Sequence, residues 1–207
     1  MCFIVIIRSM AADIFTIWKR ESQIVCGSGI VGTSYDYDSL MSREPDEVII
    51  IGLNIATLIS RKDFLQTMLS SLVKNPKLHV TLILTPDNIV KELFPLAYEH
   101  LIQSVQDIGS FMKDHLTTEG LEDRFSVRFH PAAATLSAIV CDPKNKNRGI
   151  IVFTPRWGDD AVPANRVFCS IERWKNNELF NLLYGVIPRM TQCDSISFKE
   201  VYNRLVV

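Results

Sequence analysis

The chain has 207 residues, of which 47% are apolar and 22% charged, and its formal net charge is −1. That length holds a sizeable core, and the mix is that of an ordinary globular protein. So balanced a charge excludes a general, net-charge-driven affinity for nucleic acid or an acidic membrane surface, although it is compatible with a local basic patch.

The opening "MCFIVIIRSM" holds an apolar run from Cys2 to Ile7. No positive segment precedes it and it is too short for a signal-peptide core. It reads as a short strand or as upstream sequence, since Met10-Ala-Ala would open a protein equally well. No later run reaches the roughly 20 apolar residues of a membrane span. "CGSGIVG" then gives G-x-G-x-x-G at Gly27, Gly29 and Gly32. A dinucleotide site needs a helix directly after such glycines. "TSYDYDSLMSREPDE" follows instead, acidic, turn-rich and without helical apolar spacing, so the glycines read as a loop or bulge. Residues 1–45 form an N-terminal extension or edge elements.

From residue 46 the pattern is regular. "DEVIIIGLN" is a buried strand, β-branched from Val48 to Ile51. "SRKDFLQTMLSSLVKN" is an amphipathic helix with a capping-box-like start at Ser60 and Asp63. "KLHVTLILT" is a second buried strand, with His79 as a core or strand-end residue. Pro86-Asp87-Asn88 caps a long helix whose apolar stripe runs through Leu93, Leu101, Ile102, Val105, Ile108 and Met112, with His100 and His115 on its surface. Gly120 closes the region. Four strand-like runs follow: "RFSVRFH", "TLSAIVCD", "GIIVFTP" and "RVFCSIER". "NNELFNLLYGVI" is a closing helix ended by Pro188, and "SFKEVYNRL" adds a final turn or two. The expectation is one α/β domain over 1–207, with its core at about 46–190: βαβα with parallel strands and right-handed crossovers, then hairpins added to the same mixed sheet.

The five cysteines, Cys2, Cys26, Cys141, Cys169 and Cys193, include no C-x-x-C and no zinc-ligand spacing. An odd, scattered set reads as reduced thiols in a cytoplasmic protein. Cys141 has no basic neighbour in sequence and reads as structural. No pair of histidines has metal-ligand spacing either, so neither a metal nor another cofactor is expected.

The stretch "TLSAIVCDPKNKNRGIIV" keeps the frame of a catalytic motif without its catalytic residues. With the element order around it, the chain resembles the phospholipase D-like superfamily, whose signature is H-x-K-x-x-x-x-D, six residues, then G-S-x-N. Thr135 stands at the His position and Ser137 at the Lys position. Asp142 and Gly149 match, while Ile150 and Val152 replace the Ser and Asn. The resemblance covers roughly residues 46–190 and implies a single half-domain of that fold. In the family the His attacks phosphorus, and the Lys, Ser and Asn steady the phosphate charge. Strand alternation puts Thr135, Ser137 and Ile139 on one side, and Ile150 and Val152 together on the next strand. An unactivated hydroxyl is a poor nucleophile at neutral pH, and aliphatic side chains offer no charge stabilisation. The motif is therefore expected to be catalytically dead.

Two other places could hold a ligand. Arg128 and His130, on one face by alternation, could bind an anion or lie on a solvated edge strand. Arg156 and Trp157 in "TPRWGDDAVPANR" could stack on a base or sugar, or cap the sheet edge. The leading expectation is a non-catalytic phospholipase D-like domain acting as a binding, sensor or regulatory module. It would take a phosphate-containing or protein ligand and, because the family pairs two motifs, form a homodimer through the motif face. The alternative is a phosphodiesterase or nuclease using a non-motif residue such as His130. A nucleic-acid-binding module using the Trp157 loop is the third.

Overall fold

The computed structural model describes residues 25–28, 37–60, 63–134, 136–155, 167–192 and 196–206. Its elements in chain order are β1 (Val25–Ser28), α1 (Tyr37–Met41), β2 (Glu47–Gly52), α2 (Ala56–Ile59), α3 (Phe64–Lys74), β3 (His79–Leu84), α4 (Asp87–Leu93), α5 (Tyr98–Phe111), α6 (Thr117–Glu119), β4 (Phe125–Phe129), β5 (Leu136–Cys141), β6 (Ile150–Pro155), β7 (Val167–Glu172), α7 (Asn177–Tyr184), α8 (Ile187–Gln192) and α9 (Phe198–Val206). The strands form one seven-stranded mixed sheet in the order β1-β7-β6-β5-β2-β3-β4. Strands β2, β3 and β4 are parallel, while β5, β6, β7 and β1 are antiparallel to their neighbours. The fold is α/β.

The continuous apolar runs are explained by burial on both faces. Along β2, Val48 and Ile50 join the larger core cluster with α3 and α5, whereas Ile49 and Ile51 join a smaller one with α7 and α8. The same alternation splits β5 into Ile139 and Cys141 on one side and Ala138 and Val140 on the other. Each strand inside the sheet must therefore be apolar at successive positions rather than at every second one.

Several expectations change. "RFSVRFH" is β4, which pairs parallel with β3 at the sheet edge and so completes a βαβαβ unit; it is not the first strand of a hairpin. Residues Tyr37, Leu40 and Met41 form α1 and are buried, an i, i+3, i+4 spacing inside an otherwise polar segment. Ser60 does not cap α3. Its N–H donates to the Ala56 carbonyl and its hydroxyl to the Thr57 carbonyl, ending α2, and Asp63 makes no side-chain cap. The long helix is divided: Pro95 forces Phe94 out of helical geometry, so α4 stops at Leu93, which is exposed. A π-helical turn at Met112–Leu116 follows α5, and Gly120 ends the region with φ +65°. Pro188 lies in the first turn of α8, where its missing N–H costs nothing, and α7 ends earlier, at Tyr184. Glycine Gly27 lies in strand β1, while Gly29, Gly32 and residues 1–24 are outside the described residues.

The chain's last helix is more than a turn or two. Helix α9 starts at a complete capping box: the Ser197 N–H donates to Glu200 Oε2 at 2.9 Å, and the Glu200 N–H donates to Ser197 Oγ at 3.3 Å. Val201 is buried in the larger cluster, Phe198 stacks on Phe129, and Arg204 pairs with the buried Asp87. The core thus extends past residue 190. No helix among the described residues is long and apolar enough to cross a membrane.

Gly109 lets α9 approach α5, because a Cβ there would collide with the Tyr202 ring. Gly109→Ala is expected to lower stability by about 1–3 kcal/mol in urea unfolding, as overpacking does, and Tyr202→Ala in the same chain is expected to remove that penalty.

Candidate functional site

The carboxyl ends of β2, β3 and β4 meet the start of β5 and the end of β6 at one end of the sheet. Gly52 pairs with Leu84, and Leu84 with Phe129. Beyond the last rungs, the Thr85 N–H donates to the Leu53 carbonyl at 3.1 Å and the His130 N–H to the Leu84 carbonyl at 2.8 Å. Strand β2 then turns sharply: Ile55 takes a left-handed φ of +47°, and Asn54 ties the turn by accepting from the Ala56 N–H and donating to the Ala97 carbonyl. A β-branched residue in that conformation is strained, and strain of this kind is concentrated at functional positions.

Ser137 lies at this end. A Cβ on Gly52 would stand 3.0 Å from Ile55 Cγ2, so the glycine accommodates the turn at Ile55, and 3.8 Å from the Ser137 hydroxyl, an ordinary contact. Across the sheet Ser137 pairs with Thr154, Ile139 with Val152 and Cys141 with Ile150. That register alters the expected surroundings of Ser137. Its cross-strand neighbour is a threonine, whereas Ile150 and Val152 lie deeper along β6 with no exposed surface, packed in the larger core cluster. Two branched aliphatic side chains do not line the site. The physical reason is the antiparallel hairpin: residues further along β5 pair with residues nearer the start of β6.

Thr154 and Thr85 are buried, and each hydroxyl lacks a hydrogen-bond partner among the described residues. An unsatisfied buried hydroxyl costs about 1–3 kcal/mol. The signal in the sequence was a threonine ending an apolar strand just before a proline, "LILTP" and "IVFTP". Neither threonine falls at a motif position.

Asp142 and Gly149 are at the opposite end of the sheet from Ser137, in the β5–β6 hairpin. Asp142 has φ +47°, and its Oδ1 accepts from the N–H groups of Asp46 at 2.6 Å and Glu47 at 3.2 Å. Its Oδ2 pairs with Arg148 Nε at 3.3 Å. A Cβ at Gly149 would stand 2.9 Å from the Asn145 carbonyl oxygen and 3.1 Å from that of Asp142. Asp142 holds the hairpin to the start of β2, and Gly149 closes the hairpin on itself and accepts from the Arg173 N–H. Both residues are structural here.

Arg128 and His130 do not meet Ser137 side by side. Arg128 pairs with Ile83, which belongs to the smaller cluster, so it lies on the sheet face opposite Ser137. Strand β4 is also three positions from β5, roughly 14 Å at ordinary strand spacing. His130 follows β4 at the carboxyl-end rim, and partial burial holds its imidazole below the usual histidine range. Thr135, Arg156 and Trp157 lie outside the described residues. His79 opens β3 and is exposed, and His115 packs on Phe111. The Cys141 thiol is buried beside Asp142 and pushed up to about 12, mainly by burial. No group of three or more His, Cys, Asp or Glu side chains among the described residues could hold a metal ion.

Chemically, the described row offers two hydroxyl groups, that of the half-buried Ser137 and that of the buried Thr154. These can hold a polar ligand by hydrogen bonding, but Gly52, Ser137 and Thr154 supply no imidazole or ammonium group.

No protein-family model and no curated protein matches the chain. Among solved structures, TrmBL2, described as an archaeal chromatin protein that shows a novel mode of DNA binding, matches over 94% of this chain with a TM-score of 0.50. The likeness is one of fold. Identity is 9%, and the chain spans 63% of TrmBL2's length.

Two outcomes are expected. Asp142→Ala is expected to cost about 2–3 kcal/mol in urea unfolding, since it strands two N–H donors and puts alanine at a left-handed φ; Asp142→Asn keeps an acceptor and should cost less. Because His130 has a lowered pKa when folded, the unfolded chain takes up the proton first. Stability should be fully retained above the ordinary histidine value of about 6.5 and fall as pH drops through it. Melting temperatures of His130→Gln should therefore depend less on pH between about 7.5 and 5.5.

Proposed function

We propose that the chain is a single, divergent phospholipase D-like domain that binds rather than cleaves, serving as a sensor or regulatory module. The observation that carries this is the polar row Gly52–Ser137–Thr154 at the carboxyl ends of the parallel strands, where open α/β sheets bind ligands; the recess proposed here would open on the half-buried Ser137. Two motif positions, Ile150 and Val152, are committed to core packing and a third, Asp142, to the hairpin. The ligand proposed for the recess is a phosphate-containing small molecule or peptide. The DNA binding of TrmBL2 is consistent with a binding role, at the level of fold likeness alone. Pairing of two such recesses in a homodimer belongs to the same proposal.

Three measurements test it. Bis(4-nitrophenyl) phosphate in EDTA should give no turnover above background. Turnover abolished by Thr135→Val or His130→Ala, with the fold intact, would instead identify an enzyme. Titration with inorganic phosphate should shift the amide resonances of Gly52, Ser137 and Thr154, and unperturbed resonances there would rule out an anion at this recess. Sedimentation equilibrium should show a dimer, and a monomer at high concentration would remove the paired arrangement.

A further inference from the structure

The far end of the sheet, away from Ser137, carries a surface that the binding proposal does not use. The hairpin tip at 143–148 and the β7–α7 turn at 173–175 are joined: the Arg173 N–H donates to the Gly149 carbonyl at 2.7 Å, and Arg173 Nη1 donates to the Pro143 carbonyl at 2.5 Å. Arg148 also donates to the carbonyls of Arg43 and Glu44, which fixes the adjoining loop. Six cations gather there: Arg43, Lys144, Lys146, Arg148, Arg173 and Lys175.

Their ion pairs are arranged asymmetrically. Lys144 is 78% exposed where its partner Glu47 is 30%, and Arg148 is 41% exposed where Asp142 is 5%. Arg43 and Lys175, 42% and 35% exposed, share Glu172, which is 17% exposed. In each of these pairs the cation is the more exposed partner, and Lys74, 76% exposed, pairs likewise with Glu44 at 60%; Asp46 beside them is exposed as well. With Lys74, seven cations accompany five carboxylates there, Glu44, Asp46, Glu47, Asp142 and Glu172, an excess of two positive charges in a chain whose net charge is −1. In the middle Trp174 is 62% exposed, with the Lys175 ammonium 4.9 Å from its ring centroid.

Exposed cations flanking an aromatic face fit a partner that alternates phosphate charge with flat rings. Base stacking on an aromatic side chain needs an unpaired base, which a duplex does not offer. We infer that this surface binds single-stranded nucleic acid, with Trp174 stacking a base and Lys144, Lys146 and Lys175 following the backbone.

The test is fluorescence anisotropy of a labelled 15-nucleotide single strand on the full chain, with the matching duplex in parallel. Binding should weaken with added KCl, and the single strand should bind more tightly than the duplex. Trp174→Ala should weaken single-strand binding by about tenfold or more, with Trp174→Phe recovering part of it. The triple variant Lys144→Ser, Lys146→Ser, Lys175→Ser should make the log–log salt slope shallower by about 2. All four side chains are at the surface, and circular dichroism checks that the variants fold. Absence of binding at low salt, equal loss for strand and duplex in Trp174→Ala, or binding of an acidic peptide in preference to the strand would each overturn the inference. Loss of the phosphate response at Ser137 would leave it standing, because the two surfaces lie at opposite ends of the sheet.

Discussion

Strand β5 lies antiparallel against β2, and the rest of the molecule follows from that pairing. Ile51 faces Ala138 and Val48 faces Cys141, so both strands are buried on two sides and their register cannot slip without exposing a row of apolar side chains. The pairing inserts the second half of the chain beside the first strand of the parallel unit rather than beside its last. It carries the beginning of β5 to the carboxyl ends of β2 and β3, and it sends the β5–β6 hairpin to the other end. The two surfaces are separated by the length of the strands that join them.

Asp142 anchors this arrangement from below. Its carboxylate accepts from two N–H groups at the start of β2 while the backbone N–H of the same residue donates to the Glu47 carbonyl at 2.8 Å. The charge so recessed also holds Arg148 outward. One buried carboxylate thus serves both the register of the central strands and the positive face of the hairpin. The same holds for Glu172: burial opposes its ionisation, but Lys175 and Arg43 outweigh that and keep it below the usual carboxylate range. These are desolvated anions whose partners pay for their burial with exposed charge.

At the carboxyl end the physical character is different. Here the described groups are hydroxyls next to a glycine, a strained Ile55 and a half-buried imidazole, and the Asp87–Arg204 pair seats α9. Helix α9 is held by a capping box, a stacked pair of aromatic rings and a glycine contact. None of those depends on a long apolar run, which is why a segment of mixed polarity closes the core.

The runs Val48–Ile51, Val80–Leu84 and Ala138–Cys141 marked by themselves strands buried on both faces, because short, β-branched, continuously apolar runs bounded by turn residues favour a central strand over a helix. The turn residues between them likewise marked the strand ends. Tertiary structure decided which strands are neighbours: β4 is parallel to β3 at the edge, and β5 crosses back to β2, a choice between pairings of similar local propensity. It also decided the site. Ser137 was visible as a motif position, but its pairing with Thr154 and its closeness to Gly52 depend on register, and the greater exposure of the cation in each ion pair depends on which side chains pack inward. Spacing along a chain is local information, whereas a polar row across strands and a charged face are made by residues that are distant in sequence and meet only when the sheet closes.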